Sequence, residues 1–150
     1  MKIPISVYMI TFNNAATVER ALKSIKEWAD EIVVVDSNST DGTQEIVKKY
    51  TDCLYQLDTT NLREKYQYAQ NLCKNNWVIF IDADEWLTDE IKNEIARIVS
   101  SKTDYAGFMV NRKNIYLGRV IKYGGWYPDH EIRLYRKDKG GWRGGIHAKV

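Results

Sequence analysis

The sequence has little of what marks secreted, metal-stapled or membrane-spanning proteins. Its two cysteines, Cys53 and Cys73, form no C-x-x-C pair and belong to no Cys/His cluster, which argues against a structural zinc site or a disulfide framework. The first apolar stretch ends by Thr11 and is too short for a signal-peptide core or a membrane span. We therefore expect a cytoplasmic protein, and a position at the inner face of the membrane stays open.

Length and composition predict one globular domain with a core of its own. The chain has 150 residues, and single domains commonly contain about 100–200. Hydrophobic residues make up 44% of the chain and charged residues 28%, which is enough apolar material for a core and too little charge for a disordered chain.

Charge is divided unevenly along the chain. Residues 1–110 carry 12 basic and 17 acidic side chains, whereas residues 111–150 carry 10 basic and 3 acidic ones. The second segment also holds seven of the nine glycines, which indicates loops and short strands. Its basic surplus has two open interpretations: a solvated surface, or contact with a phosphate-bearing or membrane-surface acceptor.

Apolar runs alternate with helical periodicity over the first hundred residues. The predicted strands are 3–11, 31–36, 53–57 and 77–81, and the predicted helices are 18–28, a segment through 46–47, 64–74 and 88–99. This order predicts an α/β fold: a Rossmann-like, open, mostly parallel sheet with helices on both faces. Shorter segments at 105–111, 115–122, 132–136 and 142–147 predict strands of a small mixed or antiparallel C-terminal extension.

Polar residues follow three of the predicted strands. The segments are Thr11-Phe12-Asn13-Asn14, Asp36-Ser37-Asn38-Ser39 and Asp82-Ala83-Asp84-Glu85. Ligands of open α/β sheets bind outside the carboxyl ends of the strands. The sequence therefore predicts a cleft at this edge for a ligand that forms hydrogen bonds and carries a metal.

The pair Asp82 and Asp84 is the sharpest signal for a metal. If the backbone stays extended, residues i and i+2 point to the same side, and two carboxylates crowded together favour a bound cation. Mg²⁺ or Mn²⁺ suits such a site, because these ions take one or two carboxylates together with substrate phosphates. The alternative for this pair is a solvated turn without a metal. Asp36 also has two interpretations: it could bind a nucleotide, or it could initiate a turn.

With these segments in place, the sequence resembles glycosyltransferase family 2, the inverting transferases with the GT-A fold. The resemblance covers residues 3 to about 90. It rests on three segments, which are 6–13, 32–43 and 77–85. A later tract, which runs from 125 through 136 and ends near His147, is similar to a subgroup that includes bacterial lipopolysaccharide-core glucosyltransferases. The resemblance implies a nucleotide-sugar-binding part at 1–104 and an acceptor-side part at 105–150.

The resemblance also implies roles for single residues. Thr11 and Phe12 would hold the base, Asp36 would contact the nucleoside, Asp82 would lie near the ribose, and Asp84 would ligate the metal. The other donor contacts that it implies are Asn13, Asn38 and Ala83, with Arg63 and Asn71 on the third helix.

Transfer in this family needs a carboxylate that deprotonates the acceptor hydroxyl. The candidates are Asp129 and Glu131, which could instead be surface partners of nearby arginines. His147 is expected to supply a further metal ligand or a diphosphate contact, although Ala148 follows it where close relatives tend to have Glu.

The implied activity is transfer of a sugar from a nucleotide-diphosphate sugar, by default a UDP-sugar, to an acceptor hydroxyl in cell-surface polysaccharide or lipopolysaccharide synthesis. The acceptor would be a saccharide, a lipid-linked molecule or a peptide. We expect a divalent metal as cofactor and no nucleic-acid partner, and contact with a membrane surface stays open. The alternatives are a nucleotidyltransferase, which would release pyrophosphate, and a non-catalytic sugar- or nucleotide-binding domain.

Overall fold

A computed structural model describes residues 2–124, 127–144 and 149–150. Eight strands and four helices lie in this part of the chain. They are β1 (Ile3–Thr11), α1 (Val18–Ile25), β2 (Ala29–Asp36), α2 (Thr43–Val47), β3 (Leu54–Gln56), α3 (Leu62–Leu72), β4 (Trp77–Phe80), α4 (Asp89–Ser100), β5 (Gly107–Arg112), β6 (Ile115–Tyr116), β7 (Arg119–Val120) and β8 (Asp129–Arg136). The predicted alternation of strands and helices over the first hundred residues is confirmed.

Six strands form one sheet in the order β3-β2-β1-β4-β8-β5. Strands β1 to β4 are mutually parallel where they pair, whereas β8 runs antiparallel to both β4 and β5. The predicted mixed extension is therefore not a separate layer, because two of its strands continue the main sheet beside β4. This puts the start of β8 next to the carboxyl end of β4.

The sheet is covered on both faces, as the sequence predicts. Strand β1 is central, and its run Ser6 to Met9 is fully buried because alternate side chains enter opposite cores. On one face Ile5, Val7 and Met9 pack with apolar residues of α1 and α4. On the other face Tyr8 packs with Ala69 of α3 and with a cluster of aromatic side chains.

Local signals fix where α3 begins. The side chain of Asn61 accepts a hydrogen bond from the backbone N–H of Glu64 at 3.2 Å, which satisfies one amide that a helix start leaves unpaired. The helix begins two residues before the predicted position, since the capping residue and not the first periodic residue determines its start. No helix of the described part has the length and apolar character needed to cross a membrane.

One predicted strand of the C-terminal segment is wrong, and another lies partly outside the described residues. The segment 115–122 is a hairpin of β6 and β7, because Leu117 and Gly118 adopt positive φ angles of 48° and 75° and reverse the chain. The segment from Trp142 contains no extended strand among its described residues. Arg143 forms only an isolated bridge with Lys149, and residues 145–148 lie outside the described ranges.

A core truncation tests the contribution of the helix-to-sheet packing. Leu22 of α1 is fully buried against the sheet, so Leu22→Ala is expected to lower the free energy of unfolding by about 2–5 kcal/mol through lost burial and a residual cavity. Lys23→Ala on the exposed side of the same helix is the matched control, with an expected change of at most about 1 kcal/mol. Urea unfolding of both variants gives the comparison, and equal effects would contradict this packing.

Candidate active site

The carboxyl ends of the parallel strands meet along one edge of the sheet. Thr11 pairs with Asp36, and Asp36 pairs with Gln56, so the ends of β1, β2 and β3 are level. On the other side of β1, Tyr8 pairs with Phe80, and the backbone N–H of Ile81 still bonds to the carbonyl of Tyr8. The segment beginning at Asp82 therefore leaves the sheet at the same edge.

Asp36 is fully buried, and its carboxylate is saturated with hydrogen bonds. Oδ1 accepts from the backbone N–H of Ser39 and from Nε2 of Gln44, both at 2.8 Å. Oδ2 accepts from the hydroxyls of Thr11 and Ser39, both at 2.6 Å. Since a carboxylate offers about four acceptor positions, Asp36 as it stands shapes the loop and has no acceptor left for a nucleoside.

Asp36 thereby anchors a loop that is tied to the end of β1. Residues 12–15 form three hydrogen bonds with residues 39–43, including Asn13 N–H to the Ser39 hydroxyl at 2.8 Å and Ala15 N–H to the Asp41 carboxylate at 2.9 Å. In return, the Asn13 side-chain oxygen accepts from the Thr40 N–H at 2.9 Å. Bonds from Thr43 first, and then from Ala15, lower the pKa of Asp41. The two loops form one rigid unit.

Three predicted donor contacts point outward from this unit. The aromatic side chain of Phe12 is 60% exposed. Asn13 and Asn38 are exposed and have positive φ angles of 53° and 59°, a conformation that asparagine tolerates better than most residues. These three side chains are exposed to solvent, whereas Asp36 is buried.

The segment Asp82-Ala83-Asp84-Glu85 is a tight turn, so the expectation of an extended D-x-D segment is wrong. The backbone N–H of Glu85 bonds to the carbonyl of Asp82 at 3.0 Å, and the Glu85 carboxylate accepts from the Asp82 N–H at 3.0 Å. Ala83 is buried inside the turn. Asp84 is exposed, and its carboxylate makes no hydrogen bond or ion pair with any residue that the structure describes.

Arg133 of β8 forms ion pairs with two acids of this turn. Its Nη2 lies 3.3 Å from the Asp82 carboxylate and 2.9 Å from that of Glu85, and its side chain is only 5% exposed. The guanidinium carbon lies 4.0 Å from the centre of the Phe80 ring, a cation–π contact that offsets part of the desolvation of the charge. The Tyr66 hydroxyl donates to the second oxygen of Asp82 at 3.0 Å.

Arg112, the last residue of β5, connects the turn to both predicted catalytic acids. It lies 3.3 Å from Glu85, 2.7 Å from Asp129 and 3.9 Å from Glu131. The close pair is Arg112 and Asp129, which are cross-strand neighbours. Glu131 is held more loosely and lines a cavity of about 170 Å³ together with Phe80, Met109, His130, Ile132, Trp142, Lys149 and Val150.

The acids of this cluster differ in proton affinity. For Glu85, burial is the main cause that raises the pKa, and the charge of Asp82 adds to it while Arg133 and Arg112 oppose it. For Asp129, partial burial acts upward, but hydrogen bonds from Asn114 and Arg112 outweigh it and leave the pKa below its ordinary value. Glu85 therefore binds a proton more readily than Asp129.

Asp36 is not placed to bind the same metal ion as the Asp82–Glu85 turn. Strand β1 lies between β2 and β4, so the strand that ends at Asp36 and the one that leads to Asp82 are about 10 Å apart. Every acceptor position of the Asp36 carboxylate is occupied by other residues, so Asp36 and Asp82 do not share an ion as they stand. Within residues 2–124, 127–144 and 149–150, no group of three or more His, Cys, Asp or Glu side chains is arranged to hold a metal.

The two donor contacts expected on α3, Arg63 and Asn71, lie at opposite ends of the helix. Arg63 lies in the first turn, which follows the end of β3 at the site edge, and it is exposed. Asn71 lies in the last turn, eight residues or about 12 Å along the axis, where it accepts from Gln67 at 2.9 Å. The structure does not bring Asn71 to the site edge. His147 lies outside the described residues.

A family model described as Glycosyl transferase family 2 matches residues 6–148. The chain belongs to glycosyltransferase family 2. An uncharacterized glycosyltransferase of Rickettsia bellii (strain RML369-C) is 41% identical over 98 residues, which cover 65% of this chain and 33% of that protein. Lipopolysaccharide core biosynthesis glycosyltransferase LpsC of Rhizobium meliloti (strain 1021) is 30% identical over 150 residues, which cover 93% and 53%. The chain thus spans about a third to a half of the length of these relatives.

Solved structures agree with this membership of family 2. The crystal structure of S. aureus TarS 1-349 in complex with UDP-GlcNAc matches with a TM-score of 0.55 and 29% identity, over 66% of this chain and 31% of that one. The GT-A fold implied by the sequence is confirmed.

Four residues of the site were not singled out from the sequence. They are Tyr66, Glu85, Arg112 and Arg133. The only available signal was alternation: in β8, Asp129, Glu131 and Arg133 recur at every second position, which predicts one common face for a regular strand, although the pairing with β5 shifts register at Arg133. That pattern predicts a common face but not the distant turn to which the face is attached.

Removal of the Arg133 charge tests the electrostatics of the turn. In Arg133→Gln, the pKa of Glu85 is expected to rise further, because burial and Asp82 still raise it and one opposing charge is lost. A carboxyl group with a raised folded-state pKa stabilises the fold below its unfolded pKa, and that contribution is lost as pH rises through the folded pKa. The loss of stability should therefore be about 1–3 kcal/mol at pH 7 and smaller at pH 4.

The measurements are a carbon NMR titration of the Glu85 carboxyl group and urea unfolding at both pH values. Arg136→Gln is the matched control on the same strand, since Arg136 forms only a surface pair with Asp138 at 3.1 Å. An unchanged Glu85 titration in Arg133→Gln would show that the guanidinium does not control this acid.

Proposed function

We propose that this chain binds a UDP-sugar at the carboxyl edge of its sheet and transfers the sugar, with inversion, to an acceptor hydroxyl. The observation that carries the proposal is the edge itself. A rigid pair of loops presents Phe12, Asn13 and Asn38 at one end, and the Asp82–Glu85 turn presents a free carboxylate at the other. The likeness to TarS, whose structure contains UDP-GlcNAc, supports a uridine nucleotide as donor.

The separation along the edge fits an extended nucleotide. The two ends belong to strands about 10 Å apart across β1, a separation that suits a base at one end and a diphosphate at the other. Phe12 offers an aromatic surface for the base, and the asparagines offer hydrogen bonds. Asp36 stabilises the loop that presents them, so its contribution to the nucleoside is indirect.

The chemistry of the turn fits a divalent cation held mainly by Asp84. Mg²⁺ and Mn²⁺ are bound through one or two carboxylates plus substrate phosphates, and Asp84 is exposed and unpaired among the described residues. Asp82 is less available because Arg133 and Tyr66 occupy its oxygens. When bound, the ion supplies positive charge that neutralises the departing diphosphate.

Of the two candidate bases, Glu131 suits the role better than Asp129. Asp129 is bound by Arg112 at 2.7 Å, and its lowered pKa makes it a poor proton acceptor. Glu131 is 3.9 Å from the same guanidinium and lines the cavity beside Phe80 and Trp142. We assign the deprotonation of the acceptor hydroxyl to Glu131 and the orientation of Arg112 to Asp129.

The class of acceptor is inferred from the relatives of the chain. LpsC is a lipopolysaccharide core biosynthesis glycosyltransferase, and the similarity to it covers 93% of this chain and 53% of LpsC. The acceptor would then be a saccharide in cell-surface polysaccharide synthesis, which is consistent with a cytoplasmic enzyme close to the membrane. Membership of family 2 favours sugar transfer over nucleotidyl transfer.

Asp84→Asn tests the metal and the donor together. UDP with Mn²⁺ is expected to raise the melting temperature of the native chain, because a ligand that binds the folded state stabilises it by mass action. In Asp84→Asn the metal-dependent part of this shift should be lost, and release of UDP from a UDP-sugar should fall at least about 100-fold.

Asp104→Asn is the matched control, an exposed acid before β5 at the opposite edge of the sheet, and it should behave as the native chain does. A full metal-dependent shift in Asp84→Asn would refute the assignment of Asp84. Release of pyrophosphate from a nucleoside triphosphate would instead identify a nucleotidyltransferase, and binding without turnover would identify a binding domain.

Glu131→Gln and Asp129→Asn separate the two candidate bases. Loss of the general base should lower the rate of UDP release by about 10²–10⁴-fold in Glu131→Gln, with little change in KM for the donor. Asp129→Asn should have a smaller effect, because it loosens Arg112 without removing the proton acceptor. Rates over pH 5–9 give the comparison, and a larger loss in Asp129→Asn would reverse the assignment.

A further inference from the structure

The β6–β7 hairpin is an exposed projection with an apolar tip. The two strands form a sheet of their own, and the N–H of Ile121 bonds to the carbonyl of Asn114 at 2.9 Å to close its base. Leu117 at the tip is 86% exposed. The other exposed apolar or aromatic side chains of the hairpin and its flank are Ile115, Tyr116, Val120 and Tyr123. A two-stranded hairpin is marginally stable in water by itself, so this one gains from a surface that covers it.

The turn residue at the tip is unfavourable for the turn itself. Leu117 and Gly118 both have positive φ angles, and a turn of this kind favours Asn-Gly because leucine is strained there. The position is also far from either core, so packing within the described chain does not explain the leucine. Contact with an apolar medium outside the chain does explain a leucine at this place.

The charges carried by the hairpin and its flanking residues are of one sign. Residues 105–128 contain no Asp or Glu. Lys113, Arg119 and Lys122 are exposed and form no ion pair with the described residues. A second copy of this chain would bring like charges together, which disfavours self-association through this surface. Anionic headgroups match the charge, and the region between headgroups and acyl chains suits leucine and tyrosine.

We propose that the β6–β7 hairpin docks on an anionic lipid surface, with Leu117 and Tyr116 entering the headgroup region and Arg119 and Lys122 contacting lipid phosphates. The hairpin begins three residues after Arg112, which belongs to the acid cluster of the site. Docking therefore brings the acceptor side of the site toward the membrane. The inference stands apart from the donor chemistry, because lipid binding needs neither nucleotide nor metal.

The test is co-sedimentation of the chain with vesicles of phosphatidylcholine alone and with vesicles that also contain about 30% of the anionic lipid phosphatidylglycerol. Binding is expected only to the anionic vesicles and should weaken as salt rises. Arg119→Gln with Lys122→Gln should weaken it at least about tenfold, and Leu117→Ser should do so too through lost apolar burial.

Matched controls lie at the opposite edge of the sheet. Lys2→Gln with Lys102→Gln removes the same charge, and Tyr105→Ser removes a comparable exposed aromatic side chain that is 71% exposed. These variants should keep native binding. Circular dichroism confirms that each variant folds. No binding to anionic vesicles, equal loss in the control variants, or a dimer in ultracentrifugation that Leu117→Ser dissociates would each overturn the proposal.

Discussion

The arrangement of the site depends on one guanidinium. Arg133 belongs to β8, whereas Asp82 and Glu85 belong to the turn after β4, so this contact joins the acidic first part of the chain to its basic second part. The antiparallel pairing of β8 with β4 provides the reach, because it sets the start of β8 at the carboxyl edge. Without a positive charge at this position, two half-buried carboxylates would face each other in a tight turn.

This contact also explains why the two aspartates of the D-x-D segment differ. A turn places residues i and i+2 on different sides, whereas an extended segment would place them together. Asp82 faces inward and is occupied by Arg133 and Tyr66, and Asp84 faces solvent. One carboxylate therefore stabilises the protein and the other is left for a ligand. Sequence spacing alone cannot make that division, because it depends on which acids find a buried cation.

The parts of the fold set by local periodicity could be predicted from the sequence. The strands β1, β2 and β4 are continuous apolar runs, and the helices between them have clear amphipathic spacing, so the sheet edge and its polar residues followed. The hairpin could not be predicted, because leucine at positive φ contradicts the usual turn chemistry and 115–122 has the composition of one strand. The position of Asp36 at the edge could be predicted, but its four hydrogen bonds could not, because they combine Thr11 of β1 with Ser39 and Gln44 of the loop and helix that follow β2.

The uneven charge of the chain has two separate physical causes. Arg112 and Arg133 neutralise site acids, and Arg136 pairs with Asp138 beside it, so these cations are compensated within the fold. Arg119 and Lys122 lie on or beside the hairpin and form no ion pair with the described residues, whereas Lys113 interacts electrostatically with Glu90. Exposed charge of one sign disfavours the compact state slightly and is tolerated where it can meet an opposite field. The cations of the ion pairs therefore face the acids of the site, and the cations without an ion pair among the described residues lie beyond them on the hairpin.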